Sequence, residues 1–588
     1  QAEAGDARHH LDWINGINYS RALTSSIKTA GSFKLMSTGR VQGPALKIVV
    51  DREKEIKAFK PVPFWQIELQ GNVNKGDVIA WHKEDKFWKK EKATEVMKKV
   101  KNEKKAVVDK AEKKQFQQQP PTPFDLTSLQ IEAYRCHHIS PKETLEIGQE
   151  LYTSGVISYP RTSSQQLPEK LGFKKILKQL ARQKEYSELT KKLLSFKSLK
   201  PNNGKKTDPA HPAIYPTGNV PSLSNEREQK IYDLITKRFM ATFAESALRE
   251  TMTIDINCKD EIFIAKGTRT VEKGWHVFYQ PYVKIEEEEL PKVNKNDTVN
   301  VKKINLYNKE TQPPKRYTPA SIIKELEKKN LGTKATRASI VDTLFQRGYV
   351  DGKAIAATNL GIKTVETLEK HVPQIIDEAL TRHFEEEMEQ IVEGKKTGED
   401  VLSEAEKKIT EIMSDFKKQE KEIGKELLSA NIETRDELSH LGECPNCKKG
   451  ELHMRRGKFG NFVACNKYPK CKTTFSLPNN ALIKPAKKIC ETCKHPMVLA
   501  IKRGKRPQDF CLNKECPSKN VEGTAGKEAK AIAKGKIEKS CPTCKEGKLV
   551  LRGSIYGRFL GCSLYPKCKY TEKLGEVSLK EDFKKKKD

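Results

Sequence analysis

Twelve of the fourteen cysteines of this 588-residue chain lie in its last 145 residues, in three quartets of nearly fixed spacing. Cys444, Cys447, Cys465 and Cys471 read C-x2-C-x17-C-x5-C, and Cys541, Cys544, Cys562 and Cys568 repeat that spacing. Cys490, Cys493, Cys511 and Cys516 differ only in a final gap of four. A two-residue gap lets a tight knuckle aim both thiolates at one ion. The 17-residue excursion suits a hairpin that brings a second pair across, so each quartet predicts a tetrahedral, all-thiolate Zn2+ site. A disulfide scaffold would need an oxidising compartment, and no secretory signal pattern opens the chain. Arg455 to Cys471 aligns without a gap to Arg552 to Cys568, sharing Gly-x-Phe-x-x-Cys-x-x-Tyr-Pro-Lys-Cys from Gly460 and Gly557. Such units are too small to bury a core, so metal ligation must supply most of their folding free energy.

The chain carries 110 Lys and Arg against 78 Asp and Glu, a formal net charge of +32. A surplus of that size points to a polyanionic partner, the alternative being a lysine-rich solvated surface. The excess is uneven. Residues 441–588 hold 35 Lys and Arg against 14 Asp and Glu, a net of +21, which leaves +11 for the first 440. Four thiolates on Zn2+ leave a charge of about −2 per site, so the metallated tail keeps about +15. Phe459, Phe462, Tyr468, Tyr556, Phe559 and Tyr565 are interleaved with these basic residues. They suit base stacking beside phosphate contacts, although about half of such aromatics serve as hairpin core. No apolar run reaches the roughly 18 residues of a membrane span.

The length predicts three to five domains. Residues 1–30 read as helix, as does Leu46 to Lys57. Residues 64–82 alternate like strands, and a lysine-laden amphipathic piece continues to about residue 115. After a polar linker, Gln117 to Pro123, the pattern is helical from Ser128 to Tyr152 and mostly helical over 165–235, broken by a polar loop from Lys200 to Pro209. Strands dominate from Ala247 to Val301. Helical periodicity returns from Ser321 to Phe345 and ends at Gln346-Arg347-Gly348-Tyr349-Val350, a helix, loop, helix and wing pattern that can present a helix to DNA. Leu402 to Leu438 reads as one or two charged amphipathic helices tethering the cysteine-rich tail.

Candidate chemistry centres on Val156-Ile157-Ser158-Tyr159-Pro160-Arg161-Thr162-Ser163, where an apolar, strand-like run ends in a tyrosine with an arginine two residues on. A phenol attacking phosphorus needs a nearby cation, both to favour phenolate and to neutralise charge growing on the phosphate oxygens, and Arg161 is the candidate. Taken alone, the segment fits a half-buried tyrosine beside a surface arginine better, and the rest of the chain is what favours the nucleophile. His211, in Ala210-His211-Pro212-Ala213-Ile214-Tyr215-Pro216, can donate to a phosphate oxygen or be structural. Ser37-Thr38-Gly39-Arg40-Val41-Gln42 precedes a helix, so its backbone amides could approach a phosphate, with Arg40 and Gln42 as side-chain donors; a plain helix cap would look the same. No Gly-x4-Gly-Lys-[Ser/Thr] loop is present.

Several of these segments together resemble the type IA DNA topoisomerases, with wording nearest the archaeal members and in order over nearly the whole chain. They are SYPRTSS, STGRVQ, AHPAIYP, the stretch Asn330 to Ala338, QRGYV and the four-cysteine ribbons. The resemblance implies a multidomain α+β protein. Its toroidal core would combine helical and winged-helix-like domains with a β-rich arch, followed by three zinc ribbons. On that plan 1–58 begins the DNA-gate helical domain, 59–125 and 241–315 form the arch, and 126–240 carries the tyrosine. Residues 316–440 form the winged-helix-like domain and tether, and 441–480, 481–525 and 538–575 are the ribbons. The implied activity is ATP-independent relaxation of negatively supercoiled DNA by single-strand cleavage, a 5′-phosphotyrosyl link, strand passage and religation. Tyr159 would be the nucleophile, Arg161 the transition-state cation and His211 a scissile-phosphate contact. Arg8, Asp12, Ser37, Thr38, Gly39, Arg40, Val41, Gln42 and Arg347 would contact DNA.

The family also carries an N-terminal Toprim domain whose glutamate and Asp-x-Asp pair bind Mg2+, and this chain has no Asp-x-Asp. A truncated or split polypeptide is therefore expected, with Mg2+ as cofactor and, if split, a Toprim-bearing chain as partner, in a cytoplasmic, nucleoid-associated setting. Ser163 stands where some relatives have aspartate, which leaves the local hydrogen bonding open. Two other readings remain at this level: a non-catalytic single-stranded nucleic-acid binder, and the topoisomerase half of a reverse gyrase, which would need a helicase-like ATPase.

Overall fold

Six strands from two separate stretches of sequence close into one barrel in the computed structural model, which describes residues 2–223, 225–458, 460–479, 481–502, 507–519, 538–554 and 557–573 together with Ile532. The chain opens with α1 (Ala2–Thr29), doubles back through an extended segment and enters α2 (Gln42–Ala58). β1 (Pro63–Val73), β2 (Gly76–His82), α3 (Lys90–Val100) and β3 (Lys105–Gln118) follow. A helical body comes next: α4 (Leu126–His137), α5 (Pro141–Thr153), α6 (Phe173–Leu180), α7 (Ser187–Leu194) and α8 (Glu226–Ala241). β4 (Ala247–Cys258), β5 (Glu261–Glu272), the short α9 (His276–Tyr279) and β6 (Thr298–Glu310) complete the barrel. Its order is β1-β2-β5-β4-β3-β6 and back to β1, every pair antiparallel. The helices around Tyr159 are therefore inserted between β3 and β4.

Closure removes the edge strands on which other chains could pair. Alternate residues, among them Ile67, Leu69, Ala80, Val108, Ile254, Ile256 and Phe263, fill the interior. The lysine-laden piece before residue 115 divides in two: its helical part ends at Val100, and Lys105–Gln118 is strand. Only Ala106 and Val108 of that strand are buried. The rest of its length is held by pairing with β4, from Val107 opposite Asn257 to Gln118 opposite Ala247, so a distant partner overrides a weak local pattern.

Beyond the barrel, α10 (Pro319–Lys328) and α11 (Arg337–Gln346) lead into a two-stranded hairpin, β7 (Val350–Asp351) with β8 (Ala356–Ala357), and then α12 (Asn359–His371) and α13 (Glu378–Val392). α10 starts at a capping box made by Thr318 and Ser321, with Pro319 at its first position. The run from Leu402 to Leu438 is one helix of 42 residues, α14 (Gly398–Ser439). Its buried stripe includes Ile409, Ile412, Phe416, Ile423 and Leu427, a spacing that suits one helical face.

Two compact units divide the chain, Gln1–Leu428 and Ser429–Asp588. In the second, β9 (His440–Glu443), β10 (Glu451–Gly457), β11 (Gly460–Cys465) and β12 (Thr474–Ser476) form one sheet. β13 (Leu482–Ile489), β14 (Pro496–Ile501) and β15 (Gln508–Cys511) form the next, and β16 (Leu549–Ser554), β17 (Gly557–Cys562) and β18 (Thr571–Lys573) the last. Leu452, Val463 and Leu477 of the first sheet's ribbon share a core with Ile483, Val498, Ala500 and Leu512 of the second. The third has its own core around Leu549 and Leu560. Phe459 and Tyr556 lie outside the described residues. Among the described residues no helix is long and apolar enough to cross a membrane.

Candidate active site and nucleic-acid interface

α5 delivers the tyrosine. Ser140 caps its N-terminus, where Pro141 costs no hydrogen bond. Its far end closes in a Schellman turn at Gly155 (φ 72°), whose amide donates to Tyr152 O while the Val156 amide donates to Leu151 O. The run that follows is not a full strand. One bridge joins Ile157 to Pro216, the Ser158 amide donates to Tyr215 O at 2.9 Å, and the Tyr215 amide donates to Ser158 Oγ at 3.0 Å. Pro160 lacks the N–H that a longer ladder would need. Val156 and Ile157 are buried and Tyr159 is half-buried, its ring set between His211 (centroids 4.7 Å apart) and Tyr152 (5.1 Å, edge-on). Arg161, two residues on, keeps Nε buried without a hydrogen-bond partner. An unsatisfied buried guanidinium N–H is costly, and an anion delivered to the site would satisfy it.

Asp208 ties this loop to the histidine loop. Its Oδ2 accepts from the Ser163 amide (3.1 Å) and Ser163 Oγ (3.0 Å), and its Oδ1 from the amides of Ala210 (3.1 Å) and His211 (3.2 Å). Lys334 donates to the same carboxylate. Burial works against the Asp208 charge, but Lys334 and the Ser163 and Ala210 amides outweigh it and hold the carboxyl well below the usual carboxylate range. The open hydrogen bonding at Ser163 is thus met by a carboxylate 45 residues away. Sequence reading missed Asp208, although an aspartate bonding backbone two and three residues ahead is an ordinary Asx-turn signal.

The segment Met36 to Arg40 runs back along α1. Thr24 Oγ1 donates to Met36 O, Ser20 Oγ donates to Thr38 O, and a Cβ on Gly39 would lie 3.6 Å from the Gly16 Cα. Arg8, Asp12, Thr38, Gly39, Arg40, Val41 and Gln42 come together around a cavity of about 310 Å³, closed on its other side by Gly332, Thr336, Ile340 and Glu385. Arg40 is buried, with Nη2 donating to Asp12 Oδ1 at 2.7 Å and Nη1 to Glu385 Oε1 at 2.7 Å; Arg8 also pairs with Glu385. Burial disfavours the Arg40 charge, yet the two carboxylates more than offset it and tighten its hold on the proton. Two arginines and two carboxylates cancel, so the cavity offers hydrogen-bonding groups with no net charge from this cluster. Helix amides contribute little, because the Gly43 amide already donates to Gly39 O and Pro44 has none.

Ser37 and Arg347 stand beside this cavity rather than in its lining. Arg347 Nε donates to Ser37 Oγ at 3.0 Å, and Gln42 Nε2 donates to Ser37 O at 2.9 Å. The QRGYV segment ends α11 in a second Schellman turn: Gly348 (φ 75°) donates to Phe345 O, and the Tyr349 amide to Leu344 O. That turn folds Tyr349 back, where its hydroxyl donates to Ser37 O at 2.9 Å. Lys34 was not foreseen. Burial, together with the neighbouring Arg347 charge, pulls its ammonium below the usual lysine range, and the exposed Phe33 and Leu35 flank it.

In the tail each cysteine quartet gathers to one point. Paired Sγ atoms stand 3.8 Å (Cys444, Cys471), 3.7 Å (Cys447, Cys465), 3.7 Å (Cys490, Cys516), 3.3 Å (Cys493, Cys511), 3.7 Å (Cys541, Cys568) and 3.6 Å (Cys544, Cys562) apart. A tetrahedron with Zn–S bonds of about 2.3 Å has edges of about 3.8 Å, so the thiolates fit Zn2+, and all twelve cysteines are free of disulfides. Phe462 lines a groove of about 530 Å³ with Arg435, Arg455 and Arg456, and Tyr468 and Tyr565 are exposed on the first and third ribbons.

Comparison with known proteins agrees with this geometry. The family model described as DNA topoisomerase matches residues 1–403. The one described as topoisomerase DNA binding C4 zinc finger matches residues 441–480 and 538–576, the first and third ribbons. The chain is 46% identical to DNA topoisomerase 1 of Methanocaldococcus jannaschii, over 98% of this chain and 73% of that protein. It is 45% identical to DNA topoisomerase 1 of Pyrococcus horikoshii, over 88% and 76%. Among solved structures, full-length topoisomerase I from Thermotoga maritima superposes with a TM-score of 0.57 at 25% identity, covering 82% of this chain and 76% of that one. With a family model matching most of the chain and relatives this similar over nearly all of it, the chain belongs to the type IA DNA topoisomerases, with DNA as its substrate and Zn2+ in its ribbons.

Proposed function

We propose that Tyr159 is the nucleophile of this topoisomerase. Its hydroxyl oxygen attacks a backbone phosphorus, a 5′-phosphotyrosyl ester forms, and the 3′ oxygen leaves with a proton; religation reverses each step. Because one phosphodiester replaces another of similar free energy, no nucleotide is consumed. Arg161, with its buried and unpartnered Nε, neutralises charge growing on the phosphate oxygens, and His211 donates to the scissile phosphate from beside the tyrosine ring. The uncharged cavity around Arg40 receives a base of the single strand, and the Arg347 and Lys34 cations take its phosphates. The domains of the plan, gate helices, arch, tyrosine body, winged-helix-like domain with its tether and the three ribbons, then serve strand passage with a preference for single-stranded regions.

The resemblance also implies Mg2+, and the residues around Tyr159 do not form a site for it. Asp208, the carboxylate tied to this loop, has both oxygens engaged by backbone amides and a lysine. The resemblance assigns the ion to a Toprim domain.

The pairing of the Tyr159 and His211 rings, with an unpartnered Arg161 Nε two residues on, carries this reading. Its test is a gel of 5′- and 3′-labelled single-stranded DNA with this chain, a separately made Toprim domain and Mg2+. A covalent adduct that carries the 3′ label, with the 5′-labelled fragment released, and that vanishes in Tyr159→Phe is expected; an adduct that persists in that variant rejects it.

A further inference from the structure

Strand passage requires the two ends of the cut strand to part, and the boundary between the tyrosine body, residues 126–240, and the neighbouring α10 and α11 is one that can open. Three ion pairs span that boundary: Lys206 with Glu327 (2.7 Å), Lys142 with Asp342 (2.7 Å), and Lys334 with Asp208. The third differs in kind. Lys142 and Asp342 are 39% and 33% exposed, which makes them a solvent-screened pair, whereas the Asp208 side chain is 1% exposed. Asp208 is also the group that holds the Ser163 and His211 amides.

We propose that Asp208 is a positioning residue that makes catalytic geometry conditional on a closed gate. When the bodies meet, Lys334 neutralises Asp208, and the carboxylate fixes the loops of Arg161 and His211 through their backbones. When they part, Lys334 leaves with the segment between α10 and α11, and the carboxylate loses that counter-charge, keeping its amide and hydroxyl donors. A buried charge stripped of its partner is strongly disfavoured, so the loop rearranges to hydrate it. His211 and Arg161 are then aligned for resealing only after closure returns the lysine, which guards the phosphotyrosyl ester against attack by water while the gate is open. This role rests on the assignment of Tyr159, but its primary test does not.

Amide exchange on the DNA-free full chain, read by mass spectrometry, separates this coupling from a merely adhesive contact. In Lys334→Met, peptides spanning 160–166 and 207–214 should exchange at least about threefold faster, because the protecting closed state loses its counter-charge. Lys334→Arg should restore protection. Lys142→Met, which removes a pair across the same boundary without touching Asp208, should leave both peptides as in the parent. Unchanged exchange in Lys334→Met, or equal acceleration in Lys142→Met, overturns the coupling. A second readout is adduct formation: Lys334→Met should slow it by roughly tenfold at unchanged affinity for the oligonucleotide, the signature of an interaction felt in the transition state. An adduct surviving Tyr159→Phe would sink the nucleophile and leave the exchange result standing.

Discussion

Arg40 and Gln42 sit two residues apart in the same cavity, but their loss should read differently. Arg40 is 4% exposed and pairs with Asp12 and Glu385, so Arg40→Ala takes the buried partner from both carboxylates, Glu385 keeping Arg8. Breaking a buried pair costs about 3 to 5 kcal/mol, and the lower end applies because Asp12 is 43% exposed and partly screened. Gln42 only donates to Ser37, worth about 1 kcal/mol. Thermal melts and oligonucleotide titrations of the two alanine variants should therefore show lost stability and lost affinity for Arg40, and lost affinity nearly alone for Gln42. Equal drops in melting temperature would contradict the cluster's structural role. Asp208 adds a pH argument. Its carboxyl is held below its unfolded value, so its contribution to stability is complete above about pH 4 and is lost only as pH falls through the depressed folded value. Between roughly pH 5 and 8, Asp208→Asn should lower the adduct rate by a constant factor; a change in the shape of the pH profile would mean that Asp208 titrates there.

At the scale of elements, the three ribbons are not equivalent. The first two share one apolar core, and the third has its own. Since metal ligation carries most of the folding of such units, Cys490→Ser with Cys493→Ser should remove one Zn2+ and also loosen the first ribbon through Ile483, Val498 and Leu512. Cys541→Ser with Cys544→Ser should remove one Zn2+ and leave the other two ribbons folded. Metal content by mass spectrometry and peptide-level exchange check both, and independent behaviour of the first two ribbons would refute the shared core. These ribbons were legible in sequence because ligand spacing is local. So were the ends of α5 and α11, expected at Tyr152 and Phe345 and found one residue on, before the left-handed Gly155 and Gly348. The strand Lys105–Gln118 was not, since it is mostly exposed and its partner, β4, lies more than a hundred residues on. The same distance hid the site's supporting groups. Asp208 reaches Ser163 from 45 residues on, and Lys334 and Glu385 reach Asp208 and Arg40 from other elements, so no periodicity in their own segments marks these contacts.

For the whole molecule, charge is the property that composition states most directly and the fold redistributes. In the first unit many cations are spent on internal pairs, Arg40 with Asp12 and Glu385, Arg316 with Glu53, and Lys329 with Glu378 among them. The tail instead holds 35 Lys and Arg against 14 Asp and Glu, and Zn2+ leaves most of that excess in place. Two consequences separate the roles of the units. Affinity for single-stranded DNA should fall steeply between about 50 and 200 mM salt, since each phosphate neutralised releases condensed counterions. Removing residues 441–588, just past the end of α14, should flatten that salt slope and weaken binding by roughly tenfold or more. The rate at which bound DNA forms the adduct should change far less, because Tyr159, Arg161, His211 and Asp208 all lie in the first unit. Titrations of the full and shortened chains across a salt series, paired with single-turnover adduct assays at saturating DNA, measure the two quantities separately. A shortened chain with the parent's salt slope would place the polyanion-binding surface in the first unit and strip the ribbons of that role.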